Sequence, residues 1–258
     1  MKAFFLSLIF IFCTWSLFFI GKGIDNIDIM AERYKRALDA GANAASRYRA
    51  YNNRDMLFDQ GIGYGIGAED RNNVPVDRDE AVKWFYRLFF RNLSISDSEE
   101  RDELKKYIPM KALILYDRLM IADAHDNWDS YGPDGQAYTI QYSGRDYRFT
   151  LSDQVYDPHN GQWLMAEDIG LTPEDRKALV TQYIISELNG FLKNRPDKES
   201  SSYYEIVFSL DDIADEKLSG INGVNFFVLC EGVPLSSLNP YKREEFFAYG
   251  IGGSEITR

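Results

Sequence analysis

The 258-residue chain is poor in the residues that most often carry chemistry. It has two cysteines and two histidines. Cys13 lies in an apolar N-terminal run and Cys230 in the strand-like run Phe226-Phe-Val-Leu-Cys230, so there is no disulfide framework, no CxxC pair and no zinc spacing. The G-x-S-x-G pattern of a serine nucleophile, the H-E-x-x-H pattern of a metalloprotease and the G-x-x-x-x-G-K-[ST] phosphate loop are all missing. Cationic charge is also scarce: 29 Lys and Arg against 40 Asp and Glu give a formal net charge of -11, which opposes binding to a phosphate backbone. A nucleic-acid function is therefore not expected, and neither is a bound cofactor.

What is present begins with Ala3 to Ile20, eighteen residues without a charge, long enough as a helix to span roughly 27 Å, about a bilayer core. The run is bulky to its end, Phe18-Phe19-Ile20-Gly21-Lys22, and has no small-residue cleavage site. Residues 1–22 are thus expected to be a retained single-pass signal-anchor. A bare Lys/Arg count, with Lys22, Arg33, Lys35 and Arg36 after the run, favours a cytoplasmic body. The two-residue basic head and the diluting acids Asp25, Asp28 and Glu32 favour an extracytoplasmic one, which is the orientation expected here.

Ile24 to Tyr51 predicts a continuous helix, with Ile27, Met30, Tyr34, Ala37, Gly41 and Ala44 repeating at intervals of three and four. The small residues between Ala37 and Ala45 permit close backbone approach, either to a second helix or to the chain's own sheet. This seam is the candidate interaction surface. The alternating glycines Gly61 to Gly67 read as an extended segment that another backbone can approach. Asp77 followed by Glu80 marks the start of a second helix running to Leu93, apolar over more than half its circumference. Residues 23–93 are thus read as a helical stalk and helix-rich part, Ser94 to Lys106 as a charged connection, and 107–258 as an α+β domain.

In that last part the pattern changes to strands: Ala112 to Ile121 is a long apolar-rich run, and Ala137 to Tyr142 and Tyr147 to Leu151 alternate about a Ser143-Gly144 turn. A third helix opens at Thr172-Pro173 and buries Val180, Ile184, Leu188 and Phe191. Further strands are expected at Tyr203 to Leu210, Val224 to Glu231 and Glu245 to Ile251. The order predicts an α+β fold in which an N-terminal transmembrane helix continues into a long helix, followed by a largely antiparallel sheet with packed helices.

One segment gathers ionisable groups: Asp123, His125, Asp126 and Asp129 fall within seven residues. They offer ligands for a divalent metal and hence an anchored hydrolase, but the EF-hand series is missing and the spacing is that of a polar turn, so no metal is expected. His159, in Asp157-Pro-His-Asn-Gly161, has the surroundings of an ordinary turn.

An apolar N-terminal helix (Ala3 to Ile20) leading into a small-residue helix (Ala37 to Ala45), and the Val74-Pro-Val-Asp-Arg-Asp-Glu-Ala-Val82 entry to the next helix, together resemble the pilin-like membrane-anchored proteins, in particular the TadE-like ones of bacterial pilus and secretion systems. The sequence departs from type IV pilins in having no glycine before Ala3 and no acid within the apolar run. The resemblance implies a non-enzymatic subunit of a cell-surface, pilus or secretion-type assembly, held in the membrane by a single pass and bound to protein partners or to further copies of itself. An extracytoplasmic binding or sensor module fits the same layout.

Overall fold

The computed structural model describes residues 27–47, 57–60, 73–128, 135–194, 225–235 and 244–253. Helix α1 covers 27–47, and a two-stranded ribbon follows, β1 (Leu57–Gln60) paired antiparallel with β2 (Asn73–Val76). Next come α2 (Arg78–Leu93) and α3 (Ser98–Lys105). An antiparallel meander β3 (Met110–Ile114), β4 (Arg118–Ala122), β5 (Gln136–Tyr142), β6 (Arg145–Phe149), β7 (Gln154–Asp157), β8 (Gln162–Met165) leads into α4 (Pro173–Asn194). Strands β9 (Asn225–Leu235) and β10 (Glu244–Gly253) complete one eight-stranded sheet of order β10-β9-β3-β4-β5-β6-β7-β8. The α+β class with a largely antiparallel sheet is thus observed. Among the described residues no helix is long and apolar enough to cross a membrane; the Ala3 to Ile20 run and the Gly61 to Gly67 segment lie outside them, as does Tyr203 to Leu210.

The helices start where local hydrogen bonding dictates. The Asp77 carboxylate accepts from the Asp79 and Glu80 amides, satisfying donors that the first turn of α2 leaves without partners. Thr172 accepts from the Asp175 amide ahead of α4, whose first residue is Pro173.

Two apolar layers cover the sheet. Val228, Cys230, Leu113 and Met120 face α1 and α2, while Ala112, Ile114, Ile121, Phe227 and Leu229 face α4. Strands sandwiched this way carry apolar residues at successive positions, which is why β3 and β4 read as an unbroken hydrophobic run. That run is not one strand: Leu115 and Arg118 close a hairpin turn at Tyr116-Asp117, and the Tyr138 hydroxyl of β5 bonds to the carbonyls of both Leu115 (2.6 Å) and Arg118 (2.8 Å). A second difference lies at Ser94 to Lys106. Its residues 98–105 form α3, capped by Asp97, and Leu104 enters the same apolar cluster as Phe85. The strands β7 and β8, not foreseen from the sequence, form a hairpin whose turn holds His159, with the Asp157 carboxylate accepting from the His159 amide and the Asn160 side chain.

Helix α1 is fastened to the body on two sides. A Cβ built on Gly41 would lie 2.7 Å from the Phe85 ring of α2, and one built on Gly250 of β10 would lie 2.8 Å from the carbonyl carbon of Leu38. Arg33 donates to the Leu93 carbonyl at 2.6 Å, at the C-terminal end of α2, and Lys35 donates to the Tyr249 carbonyl of β10 at 2.6 Å.

Candidate functional site

The candidate interaction seam lies largely within the fold. Ala37 is fully buried, Gly41 abuts Phe85, and Ile27, Met30 and Tyr34 pack part-buried against the α1–α2 cluster; Ala44 is intermediate. The close approach that the small residues permit is met by this chain's own α2 and β10. On the same helix Ile29 is 65% exposed, which is unusual for so large an apolar side chain among the described residues.

The described members of the acidic cluster, Asp123, His125 and Asp126, do not converge. Asp123 follows β4, and its carboxylate accepts from the amides of His125 (2.8 Å) and Asn127 (3.0 Å) and from the Asn127 side chain (2.9 Å). Burial alone would raise the Asp123 pKa, but these donors, which favour the ionised form, hold it below the ordinary carboxylate value. The carboxylate is thus engaged in forming its own turn. The His125 residue is exposed, Asp129 lies outside the described residues, and no group of three or more potential metal ligands stands together among the described residues.

Asp126 has a different partner. Its backbone is in the left-handed region (φ 63°), which turns the carboxylate back over the sheet to Nζ of Lys111, 2.7 Å away. Lys111 is the one charge in the run Ile108 to Tyr116 and is 0% exposed. It points to the face of β3 that α2 covers, where Nζ donates to the Tyr86 hydroxyl of α2 at 3.3 Å. Burial lowers the Lys111 pKa against the pull of Asp126, and burial raises the Tyr86 pKa. The pair is buried on the Lys111 side and 41% exposed on the Asp126 side, and ion pairs of this kind are a weak source of net stability.

Asp126, from its loop, and Tyr86 also line an open cleft of about 630 Å³ between α2 and α3. The two walls carry matching residues. Lys83 and Arg87 lie four apart on α2, and Arg101 and Lys105 lie four apart on α3, so each helix presents one Lys and one Arg on a single face. Sequence reasoning did not find this site, although two signals were there: the lone lysine in an apolar strand and the two i, i+4 basic pairs. Comparison of the chain with protein-family models, with curated proteins and with solved structures found no match.

Proposed function

We propose that the chain is a non-enzymatic subunit of a cell-surface, pilus- or secretion-type assembly, tethered by residues 1–22 with its α+β body on the extracytoplasmic side. The observation that carries this reading is the fastening of α1. Six residues separate Ile20 of the apolar run from the start of the described helix, and that helix is held by backbone-level contacts to β10 and α2. A tether entering the body through a core helix fixes the body close to the membrane and transmits force to the sheet, which suits an assembly subunit. The described part of the Asp123 cluster lends no weight to a hydrolase, since Asp123 is engaged by its own turn and Asp126 by Lys111.

Protease treatment of intact cells tests the topology. The body is expected to be digested while a fragment retaining residues 1–22 stays with the membrane. Protection in intact cells with digestion after lysis would overturn the orientation, and a mature N-terminus beyond Ile20 would overturn the tether. Crosslinking of the intact membrane protein then tests the assembly, with a stable protein partner or a self-adduct as the expected product and none as the result against it.

A further inference from the structure

We infer that the cleft between α2 and α3 is a binding site for a small polyanion carrying two or more oxyanion groups, carboxylate or phosphate. Its lining brings four cations, Lys83, Arg87, Arg101 and Lys105, together with the two carboxylates of Asp79 and Asp126 on a protein whose net charge is -11. Arg87 is stacked over the Trp84 ring at 4.8 Å. Arg101 lies over the Phe90 ring at 5.6 Å and bonds the Ile95 carbonyl through Nε (3.2 Å) and Nη2 (3.0 Å). Neither guanidinium has a carboxylate partner among the described residues. Arg101 is thus held by the Ile95 carbonyl and Arg87 rests on a ring of its own helix, and the charge of neither is spent on an internal acid. A planar guanidinium positioned in advance is the side chain best matched to a carboxylate or phosphate, which it can bind through two parallel hydrogen bonds.

The two lysines complete the walls. Lys83 pairs with Glu80, and Lys105 with Asp102 at 2.8 Å, each one turn back on its own helix. Exposed pairs like these are worth little and are readily exchanged for a stronger anion. With one Lys and one Arg on each wall, a single monovalent anion would satisfy only one side. A ligand with separated oxyanion groups satisfies both, and the volume suits a small molecule. The Asp79 and Asp126 carboxylates, which also line the cleft, disfavour an anion beside them, so the ligand sits against the arginines.

This inference goes beyond the assembly reading, which is decided by topology and partner recovery. The test is isothermal titration calorimetry of the full-length detergent-solubilised protein at fixed ionic strength, with pyrophosphate in one arm and citrate in the other. At least one of the two is expected to bind with a dissociation constant of about 1 mM or tighter. Binding by pyrophosphate alone or by citrate alone assigns the ligand to the phosphate or the carboxylate class. Arg87→Gln and Arg101→Gln are each expected to weaken binding about tenfold or more, whereas Arg145→Gln, on the exposed start of β6, leaves it unchanged. Arg101 also holds the Ile95 carbonyl, so where that variant misfolds the exposed Arg87 decides alone. No heat from either anion at about 10 mM, or binding undiminished in Arg87→Gln, overturns the site.

Discussion

Gly252 of β10 lies directly against the backbone of Ala42 in α1: a Cβ at Gly252 would overlap the Ala42 carbonyl and the Asn43 amide nitrogen. The helix and the sheet edge meet at backbone distance, so a methyl group must push one of them away. Gly252→Ala is expected to destabilise the protein by roughly 1–3 kcal/mol or more, measured by urea unfolding of the detergent-solubilised chain. Gly190 in α4 is the internal comparison, because a Cβ there meets nothing within 4 Å. Gly190→Ala is expected to be stabilising by about 0.5–1 kcal/mol. Equal effects of the two substitutions would contradict the docking of α1 on β10.

The exposed side of α1 is distinguished from its buried side by a second pair of variants. Gly41→Leu drives a side chain into the Phe85 ring and is expected to lower stability by about 1–3 kcal/mol. Ile29→Asp, on a side chain already in solvent, is expected to leave unfolding within about 0.5 kcal/mol of the parent. Under the assembly reading Ile29→Asp also lowers recovery of a crosslinked partner per folded molecule. Unchanged recovery would remove this face of α1 from the interface.

Breaking the Lys111–Asp126 pair from the acid side leaves a buried ammonium without its counter-charge. Asp126→Asn is expected to destabilise toward the lower end of roughly 3–5 kcal/mol, because the Asp126 side chain is 41% exposed. Adding Lys111→Met should recover most of the loss, since an apolar side chain of similar length suits the space. The pH dependence has a fixed sign. The folded pKa of Lys111 is lowered, so above it the native state has released a proton that the unfolded chain still holds, and this group's contribution to stability rises with pH up to the ordinary lysine value. The deficit of Asp126→Asn should therefore shrink in alkaline buffer; a deficit independent of pH up to about 10 would show that the charge of Lys111 is not its source.

Asp123 gives the opposite dependence at the acid end. Its folded pKa lies below the unfolded value, so its contribution is present above the unfolded pKa and is lost as pH falls through the folded one. Asp123→Ala is expected to flatten part of the acid limb of the stability curve. An unchanged limb would show that the donors from His125 and Asn127 do not favour the ionised carboxylate.

Cys230 is fully buried in β9 and burial pushes its thiol pKa up to about 12. In a Cys13→Ser background the protein is expected to react with a thiol reagent at pH 8 only as fast as it unfolds, and rapidly in denaturant. Fast labelling of the native protein would place Cys230 at an accessible surface.

Some features follow from residues within a few positions of each other, and those were legible in the sequence. Asp77 caps α2 through amides two and three residues on, Thr172 caps α4 through the amide three residues on, and Ser143-Gly144, both with positive φ, turn β5 into β6. A hydrogen bond closing over two to four residues depends on side chains adjacent in the chain, so the sequence by itself determined these starts and turns. The β3–β4 hairpin was decided otherwise: no Gly, Pro or Asn marks Tyr116-Asp117, and the turn is held by a hydroxyl from Tyr138, over twenty residues away. The tertiary structure likewise supplied both partners open to the small residues of α1, the Phe85 ring of α2 and a sheet edge whose Gly250 and Gly252 lie some 210 residues from Leu38 and Ala42. It also assembled the cleft, where Lys111 and Asp126 meet between two helices whose basic pairs look, in the linear chain, like ordinary solvated faces. Such contacts depend on which surfaces the sheet order brings together, and that order, with β9 returning to pair with β3, is set by how two apolar faces are covered at once and by no local signal.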